Sequence, residues 1–303
     1  MSNILIAGGT GLVGQRLSQL LLAEGHTVMH LSRRRNPKSA IPTYVWDLKK
    51  GHIDEEALVR ADYVINLAGA GVADRRWTAS RKQLIISSRV DAARLLLSSF
   101  ERLGKRPNAY LSAAAIGYYG DRGEDWVNEE SAPGKSGFLV ESCLRWEEAI
   151  AEWPKAGHRT VTYRIGIVLS TKGGALPKML LPARFAVASY FGDGQQYMPW
   201  IHIDDLCRMI IKGLEESMNG IYNGVAPNPV TNKVFMETLC EALGRPAIPI
   251  PAPAFALRVG MGEMADVVLS GSRVSADKIQ QQQFRFEYPE LLPALRDLLE
   301  KKL

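Results

Sequence analysis

The chain has 303 residues, of which 46% are hydrophobic and 23% are charged, and its formal net charge is +5. These values are typical of a globular chain of one large domain or two coupled ones, and no segment reaches the ~20 uninterrupted apolar residues of a membrane span. The modest positive charge suits small anionic ligands and, without a long Lys/Arg run, does not favour nucleic acid. Three widely spaced cysteines and the lack of a signal-like start lead us to expect a cytoplasmic protein with free thiols.

The first predicted element is a strand at residues 3–7, which runs into a glycine turn and then into an amphipathic helix. Glycines in such a turn let the backbone approach a dinucleotide pyrophosphate, while the helix N-terminus supplies free N–H groups. We interpret the segment as a dinucleotide-binding turn, in preference to an ordinary flexible loop. Its predicted cofactor-binding residues are Gly8, Gly9, Thr10, Gly11, Leu12, Val13 and Gly14.

The following segments alternate between β-rich runs and helical patterns. Such alternation predicts a doubly wound parallel sheet of the Rossmann type, covered by helices on both faces. Further strands are predicted at 27–32, 43–46, 62–68, 109–115 and 160–169, and helices at 79–103 and 138–153.

The pattern loosens after residue 170, where a helix is predicted around 176–190 and another ends near 216. We therefore expect a cofactor-binding domain at 1–170, to which 195–225 returns. Residues 171–303 mainly form a smaller C-terminal α/β domain for the substrate, placed over the carboxyl edge of the sheet.

The end of the second predicted strand is basic rather than acidic. Ser32, Arg33 and Arg34 stand where a fold selective for NAD(H) carries a carboxylate, and they favour the 2′-phosphate of NADP(H), with NAD(H) the less favoured cofactor. At least one arginine of the basic run is expected to belong to a solvated turn. Asp47 is predicted to accept from the adenine amino group or, alternatively, to cap a turn. Further predicted cofactor contacts are Leu67, Ala68, Gly69 and Ser112.

Several motifs resemble those of the extended short-chain dehydrogenase/reductases, among them Tyr118-Tyr119-Gly120-Asp121 and Trp200-Ile201-His202-Ile203-Asp204-Asp205. Arg76-Trp77 and Trp146-Glu147-Glu148 are more similar to the nucleoside-diphosphate-sugar epimerase-like subgroup, known as epimerase family proteins. The resemblance spans essentially the whole chain. It implies a Rossmann domain that binds NADP(H), a C-terminal substrate domain, and a cofactor contact from Arg89. The alternative for Arg89 is a surface arginine without a functional role.

The catalytic triad of the extended family is not present in its usual form. That family uses a Tyr with a Lys four residues later, one helical turn apart, and a Ser that orients the substrate. None of the ten tyrosines has a lysine at that spacing, and the helix at 138–153 offers only Phe138 with Ser142 or Leu139 with Cys143. The position nearest the usual serine is Ala114.

The remaining catalytic candidates are Tyr118, Tyr119 and His202. Either tyrosine would need a nearby cation, for which Arg145 and Arg122 are the candidates. His202 is able to act as an acid or base near neutral pH, or else it is a hydrogen-bonded hinge residue.

Two functions remain open on the sequence alone. One is an NADP(H)-dependent oxidoreductase or epimerase acting on a small polar, nucleotide-linked molecule. The other is a catalytically silent NADPH-binding module that acts through a partner. No metal site is expected, because His26 and His30 would lie ~13 Å apart on a strand. The protein is predicted to be a monomer or a homodimer.

Overall fold

A computed structural model describes residues 1–300. Its strands are β1 Asn3–Ala7, β2 Thr27–Ser32, β3 Thr43–Asp47, β4 His52–Ile53, β5 Tyr63–Asn66, β6 Ala109–Ala115, β7 Trp126–Val127, β8 Thr160–Ile165, β9 Ile167–Leu169, β10 Val187–Phe191, β11 Tyr197–Met198, β12 Trp200–His202, β13 Gly220–Gly224, β14 Val230–Thr231, β15 Ile248–Ala252 and β16 Arg273–Val274. Its α-helices are α1 Leu12–Ala23, α2 Glu55–Arg60, α3 Ala79–Arg102, α4 Phe138–Ile150, α5 Glu152–Lys155, α6 Leu176–Ala183, α7 Ile203–Lys212, α8 Asn232–Ala242, α9 Ala254–Met261, α10 Ala265–Leu269, α11 Asp277–Gln281 and α12 Leu291–Glu300.

One large sheet organises the protein, with strand order β13-β8-β6-β5-β1-β2-β3-β4. All its neighbouring strands are parallel except β3 and β4, which are antiparallel. The strand order reverses direction at β1, between β2 and β5, and ligands bind at such a switch point in open α/β sheets. The predicted doubly wound fold is therefore confirmed.

Helices cover both faces of this sheet because its central strands are apolar on both sides. Ile4 and Ile6 of β1 belong to one buried cluster, which includes residues of α1 and α7. Leu5 and Ala7 belong to a second cluster with residues of α3 and α4. Alternate side chains of one strand thus point to opposite faces, as in any pleated strand.

The helix predicted around 176–190 is wrong in its second half. Helix α6 ends at Ala183, and Val187–Phe191 forms strand β10, paired in parallel with β15. Pro182 lies in the last turn of α6, and Ala186 has φ of +63°, a left-handed conformation that ends the helix. A distant strand therefore overrides the local helical pattern.

Other predicted boundaries also shift. The strand predicted at 160–169 divides at Gly166, where a Cβ would come within 2.5 Å of the Pro199 carbonyl oxygen, and β9 then pairs with β12. The helix predicted at 138–153 ends at Ile150, and the helix predicted to reach 216 ends at Lys212.

The chain after residue 170 contributes to the large sheet as well as to smaller ones. Strand β13 is an edge strand of the large sheet, while β10, β11 and β16 lie in separate two-stranded sheets. The division of the chain at residue 170 stays a prediction, and the last residues of its C-terminal part, 301–303, lie outside the described residues. Within residues 1–300 no helix is both long and apolar enough to cross a membrane.

Candidate functional site

The glycine turn connects β1 to α1 and is packed too closely to admit side chains. Gly8 has φ of +82°, and a Cβ there would come within 2.8 Å of the Leu67 carbonyl carbon and oxygen. A Cβ on Gly14 would lie 2.4 Å from the Gly8 oxygen, and the Gly11 N–H donates to that same oxygen at 3.0 Å. No side chain caps the first turn of α1. The turn therefore presents bare backbone at a helix N-terminus, the arrangement that binds phosphate groups.

His30 of β2 lies beneath this turn, a contact that the sequence analysis missed. The hydroxyl of Ser18 donates to the Gly14 carbonyl at 2.7 Å and lies 2.8 Å from His30 Nε2. Since the hydroxyl hydrogen is used on Gly14, we assign the proton between Ser18 and His30 to Nε2. The side chain is buried, and burial lowers the pKa of His30. A neutral imidazole thus connects β2 to the first turns of α1.

The basic residues at the end of β2 are free to meet a ligand. Arg33 and Arg34 are exposed, and neither forms an ion pair with a carboxylate within residues 1–300. Ser32 is half-buried at the last position of the strand. Asp47, at the end of β3, accepts from the backbone N–H groups of Lys49 and Lys50 at 2.9 and 3.3 Å, so its carboxylate caps a turn.

The loop after β5 is fixed to helix α3. Ser88 Oγ accepts from the Ala70 N–H at 2.9 Å, and Arg89 Nη1 donates to the Ala70 carbonyl at 3.0 Å. Asn66 Oδ1 accepts from the Ala68 N–H at 3.1 Å. Because Gly8 touches Leu67, this loop and the glycine turn form one continuous wall.

Arg89 lies beside the position where the extended family carries its lysine. Its guanidinium carbon is 4.9 Å from the ring centroid of Trp146 on α4, and burial lowers the pKa of Arg89. Its charge also acts on Cys143, whose pKa burial raises to about 12 in spite of that charge. In one of the two alignments of the Tyr/Lys pair, Leu139 with Cys143, Cys143 stands at the lysine position. Arg89 of α3 therefore lies next to the position on α4 where the extended family has a lysine and this chain has none.

Ser112 is buried in strand β6 and is already hydrogen-bonded. It accepts from the Tyr110 hydroxyl at 3.3 Å and donates to the Ala113 carbonyl at 3.0 Å. Tyr110 in turn accepts from Asn66 Nδ2 at 2.9 Å. This chain of bonds joins β5 to β6 below the carboxyl edge, so Ser112 supports the wall of the site.

Tyr119 is fully buried in a polar network. Its hydroxyl donates to Asn223 Oδ1 at 2.7 Å and accepts from Arg164 Nη1 at 3.0 Å, and burial raises the pKa of Tyr119 to about 12. Arg164 forms a bidentate pair with Glu147, with both N–O distances 2.7 Å. These contacts connect the 3₁₀ turn at Ile116–Tyr119 to β8, β13 and α4 and favour a structural role for Tyr119.

Tyr118 has a different environment. It is half-buried, and its hydroxyl has no hydrogen-bond partner in the described part of the chain. The guanidinium carbon of Arg164 lies 3.5 Å from its ring centroid, a cation–π contact.

Arg145 and Arg122, the candidate cations from the sequence, both have other partners than the tyrosine hydroxyls. Arg145 pairs with Glu141 at 2.8 Å, and Arg122 donates to backbone carbonyls, including that of Tyr119 at 3.0 Å. Arg164 is the cation that contacts both side chains, through the ring of Tyr118 and the hydroxyl of Tyr119. No spacing rule could have identified it, because it reaches the tyrosines only through the pairing of β6 with β8.

His202 is fully buried at the start of α7. Its Nδ1 accepts from the Asp204 N–H at 3.1 Å, which caps the helix, and its Nε2 lies 3.2 Å from Asp297 Oδ2. Its ring stacks on Tyr288 with centroids 4.0 Å apart. These contacts favour the hinge alternative over acid–base catalysis.

A cavity of about 610 Å³ opens at the N-terminus of α4, where the family tyrosine would stand. Phe138 lines it together with Lys82, Lys135, Glu141, Arg145 and Glu263. In residues 1–300 no group of three His, Cys, Asp or Glu side chains is placed to hold a metal ion.

Comparison with known proteins agrees with this geometry. The profile of the NAD dependent epimerase/dehydratase family matches residues 4–224, and a domain of unknown function, DUF1731, matches residues 252–298. The epimerase family protein YfhF of Bacillus subtilis is 37% identical over 299 residues, which is 98% of each chain.

Two solved structures are also similar. The human epimerase family protein SDR39U1, crystallised with NADPH, superposes with a TM-score of 0.89 at 33% identity, over 98% of this chain and 99% of that one. A nucleoside-diphosphate sugar epimerase from Corynebacterium glutamicum gives 0.78 at 31% identity, over 98% of this chain and 58% of that one. The chain therefore belongs to the NAD dependent epimerase/dehydratase family.

Proposed function

We propose that this protein binds NADP(H) and uses it in oxidoreductase or epimerase chemistry on a small polar substrate of the nucleotide-linked kind. The observation that carries the proposal is the bare glycine turn beside unpaired Arg33 and Arg34. A similar human protein crystallised with NADPH supports the choice of cofactor.

The residues present fit NADP(H). A Cβ on Gly8 or Gly14 would collide with neighbouring backbone, so the tight turn at 8–14 requires glycine there. Its backbone N–H groups, at the N-terminus of α1, would face the pyrophosphate. Ser32, Arg33 and Arg34 would hold the 2′-phosphate. Asp47 caps its turn through Oδ1 and would face the adenine with Oδ2. Leu67–Gly69 and Arg89 would line the rest, and the buried Ser112 would support that wall from behind. The nicotinamide supplies or accepts a hydride when bound.

Tyr118 is the proposed proton donor or acceptor. Its hydroxyl is unpaired in residues 1–300, whereas that of Tyr119 is bonded on two sides. Arg164 would hold Tyr118 in place through its ring, and Arg89 would supply the positive charge that the family lysine supplies elsewhere. A positioned phenol is able to exchange a proton with a substrate oxygen.

The cofactor proposal is tested by titrating the protein with NADPH and NADH, as the parent and as Arg33→Glu. We expect the parent to prefer NADPH, and the variant to lose affinity for NADPH by about tenfold or more, or ~1.4 kcal/mol, with little change for NADH. Arg296→Glu makes the same charge change on α12, where Arg296 lies near Glu241, and serves as the control. Unchanged NADPH affinity in Arg33→Glu, or tighter NADH binding by the parent, would contradict the assignment.

A catalytically silent NADPH-binding module is the second candidate. It is favoured by Phe138, Leu139, Ser142 and Cys143, which fill both registers of the missing Tyr/Lys pair on α4. The two candidates are separated by following NADPH oxidation against a panel of carbonyl and nucleotide-sugar compounds. Turnover that disappears in Tyr118→Phe excludes the silent module. Tight NADPH binding without turnover on any compound supports it.

A further inference from the structure

Arg273 is held between two aromatic rings. It lies on β16, whose register pairs it with Trp126 of β7. Its guanidinium carbon is 4.3 Å from the Trp126 ring centroid and 5.1 Å from that of Tyr197 on β11. Two rings thus flank the guanidinium, whose N–H groups lie in its own plane and stay available for hydrogen bonds.

The guanidinium of Arg273 has no hydrogen-bond or carboxylate partner within residues 1–300, and its Nε is buried. Arg81 also has an unsatisfied Nε, but its Nη2 reaches the Gly71 carbonyl and Asp74. Arg164 is paired with Glu147. A buried guanidinium N–H without a partner is costly, whereas an oxyanion would satisfy it with charge-assisted bonds.

The position of Arg273 connects it to the candidate site. The segment before it is bonded to the loop that follows Tyr119: Ser272 Oγ donates to the Gly120 carbonyl at 2.6 Å, and the Gly271 N–H donates to Asp121 Oδ1 at 3.1 Å. This loop leaves the carboxyl end of β6, the edge of the sheet where ligands bind. Trp126, which closes one side of Arg273, is 52% exposed and so accessible to a ligand.

We infer that Arg273, clamped by Trp126 and Tyr197, binds an oxyanion of the small-molecule substrate, either a phosphate or a carboxylate. Naming that ligand as the substrate rests on the proposed function, whereas the anion site itself does not. Arg273 lies within residues 252–298, the segment that matches a domain of unknown function.

The test follows the Nε–H resonance of Arg273 by ¹H–¹⁵N NMR in the NADPH-loaded full-length protein. Arg273→Lys keeps the charge but removes this Nε–H group, which assigns the resonance. Inorganic phosphate and malonate are titrated separately. We expect a saturable shift with one of them, and the anion that produces it tells phosphate from carboxylate recognition.

In the variants, which are followed through backbone amide resonances, affinity for that anion should fall at least about tenfold in Arg273→Gln, because the charge-assisted bonds are lost, and should be unchanged in Arg296→Gln. The inference is overturned if neither anion gives a saturable shift, or if Arg273→Gln binds the anion as well as the parent. The parent titration decides the question even if Arg273→Gln does not fold.

Repeating the titration without NADPH keeps the two proposals distinguishable. A protein that fails to bind NADPH while Arg273 still responds to the anion contradicts the cofactor proposal alone. A protein that binds NADPH while the Arg273 resonance does not shift with either anion contradicts this inference alone.

Discussion

The imidazole of His30 fills the space that a side chain at residue 9 would need. A Cβ built on Gly9 would lie 2.2 Å from His30 Cδ2 and 2.5 Å from its Nε2. Since Nε2 is also hydrogen-bonded to the buried Ser18, the ring cannot move aside without breaking that bond. Gly9 and His30 therefore form one packing unit under the glycine turn.

Gly9→Ala should destabilise the protein by about 1–3 kcal/mol, the usual cost of overpacking a tight interior. The measurement is the free energy of unfolding in urea. The matched control is Gly25→Ala, where the added Cβ meets no atom within 4 Å but φ of +83° gives a purely backbone cost.

A second substitution tests the cause of that loss. His30→Ala opens space above β2, so Gly9→Ala should cost less in the His30→Ala background, with a coupling energy of about 0.5–3 kcal/mol. Strictly additive effects would show that the collision between residues 9 and 30 does not set the cost.

Acid should weaken the fold through His30. Burial lowers the pKa of His30, so the unfolded chain, with an ordinary value of about 6.5, takes up the proton first as pH falls. The free energy of unfolding should therefore drop below about pH 6.5, by at most about 1.4 kcal/mol from this residue at pH 5.5. His30→Gln should flatten that part of the dependence, as measured by urea unfolding at pH 7.5 and 5.5.

Part of the acid sensitivity should survive in His30→Gln. Burial and the charge of Arg106 lower the pKa of His158, so its contribution has the same sign. The His30→Gln, His158→Gln double variant should be the least sensitive of the series. An identical pH dependence in the parent and His30→Gln would refute the role assigned to His30.

The adjacent tyrosines should differ in their effect on stability. Tyr119→Phe leaves Asn223 Oδ1 and one Arg164 N–H without a partner, which should cost about 1–3 kcal/mol. Tyr118→Phe removes no hydrogen bond within residues 1–300 and should stay within about 0.5 kcal/mol of the parent. Thermal or urea unfolding of both variants gives the comparison, and equal losses would contradict it.

Removing only one partner of the Arg164–Glu147 pair should destabilise the protein more than replacing both. The two side chains are 2% and 12% exposed, so Glu147→Ala would strand a buried guanidinium and should cost about 3–5 kcal/mol. Replacing both, as Arg164→Met with Glu147→Leu, should cost less than the single change. Glu148→Ala, one residue along on the exposed face, is the control and should change the free energy of unfolding by less than about 0.5 kcal/mol.

The sequence predicts best those elements whose signal is local. The β1–turn–α1 unit has an apolar strand, a glycine spacing and an amphipathic helix within about 20 residues, and all three appear as predicted. The strand at Val187–Phe191 was missed because its partner β15 begins about 60 residues later, at Ile248. Local propensity cannot include that pairing.

The site shows the same limit. The tyrosines themselves were identified, but their cation was not, because Arg164 approaches through the sheet rather than through helical spacing. From the sequence, His30 was considered only as a metal ligand. No periodic pattern indicates that it packs under a glycine turn from a neighbouring strand. Contacts between strands are set by register, and register is a property of the assembled sheet.

Strand β13 has a consequence for synthesis of the chain. The edge of the large sheet next to β8 stays open until Gly220–Gly224 has left the ribosome, about 55 residues after β8 is complete. Until then Tyr119 also lacks Asn223, its acceptor from that strand. A nascent chain that lacks β13 therefore exposes the unpaired edge of β8, which is open to pairing with another chain until synthesis has passed residue 224.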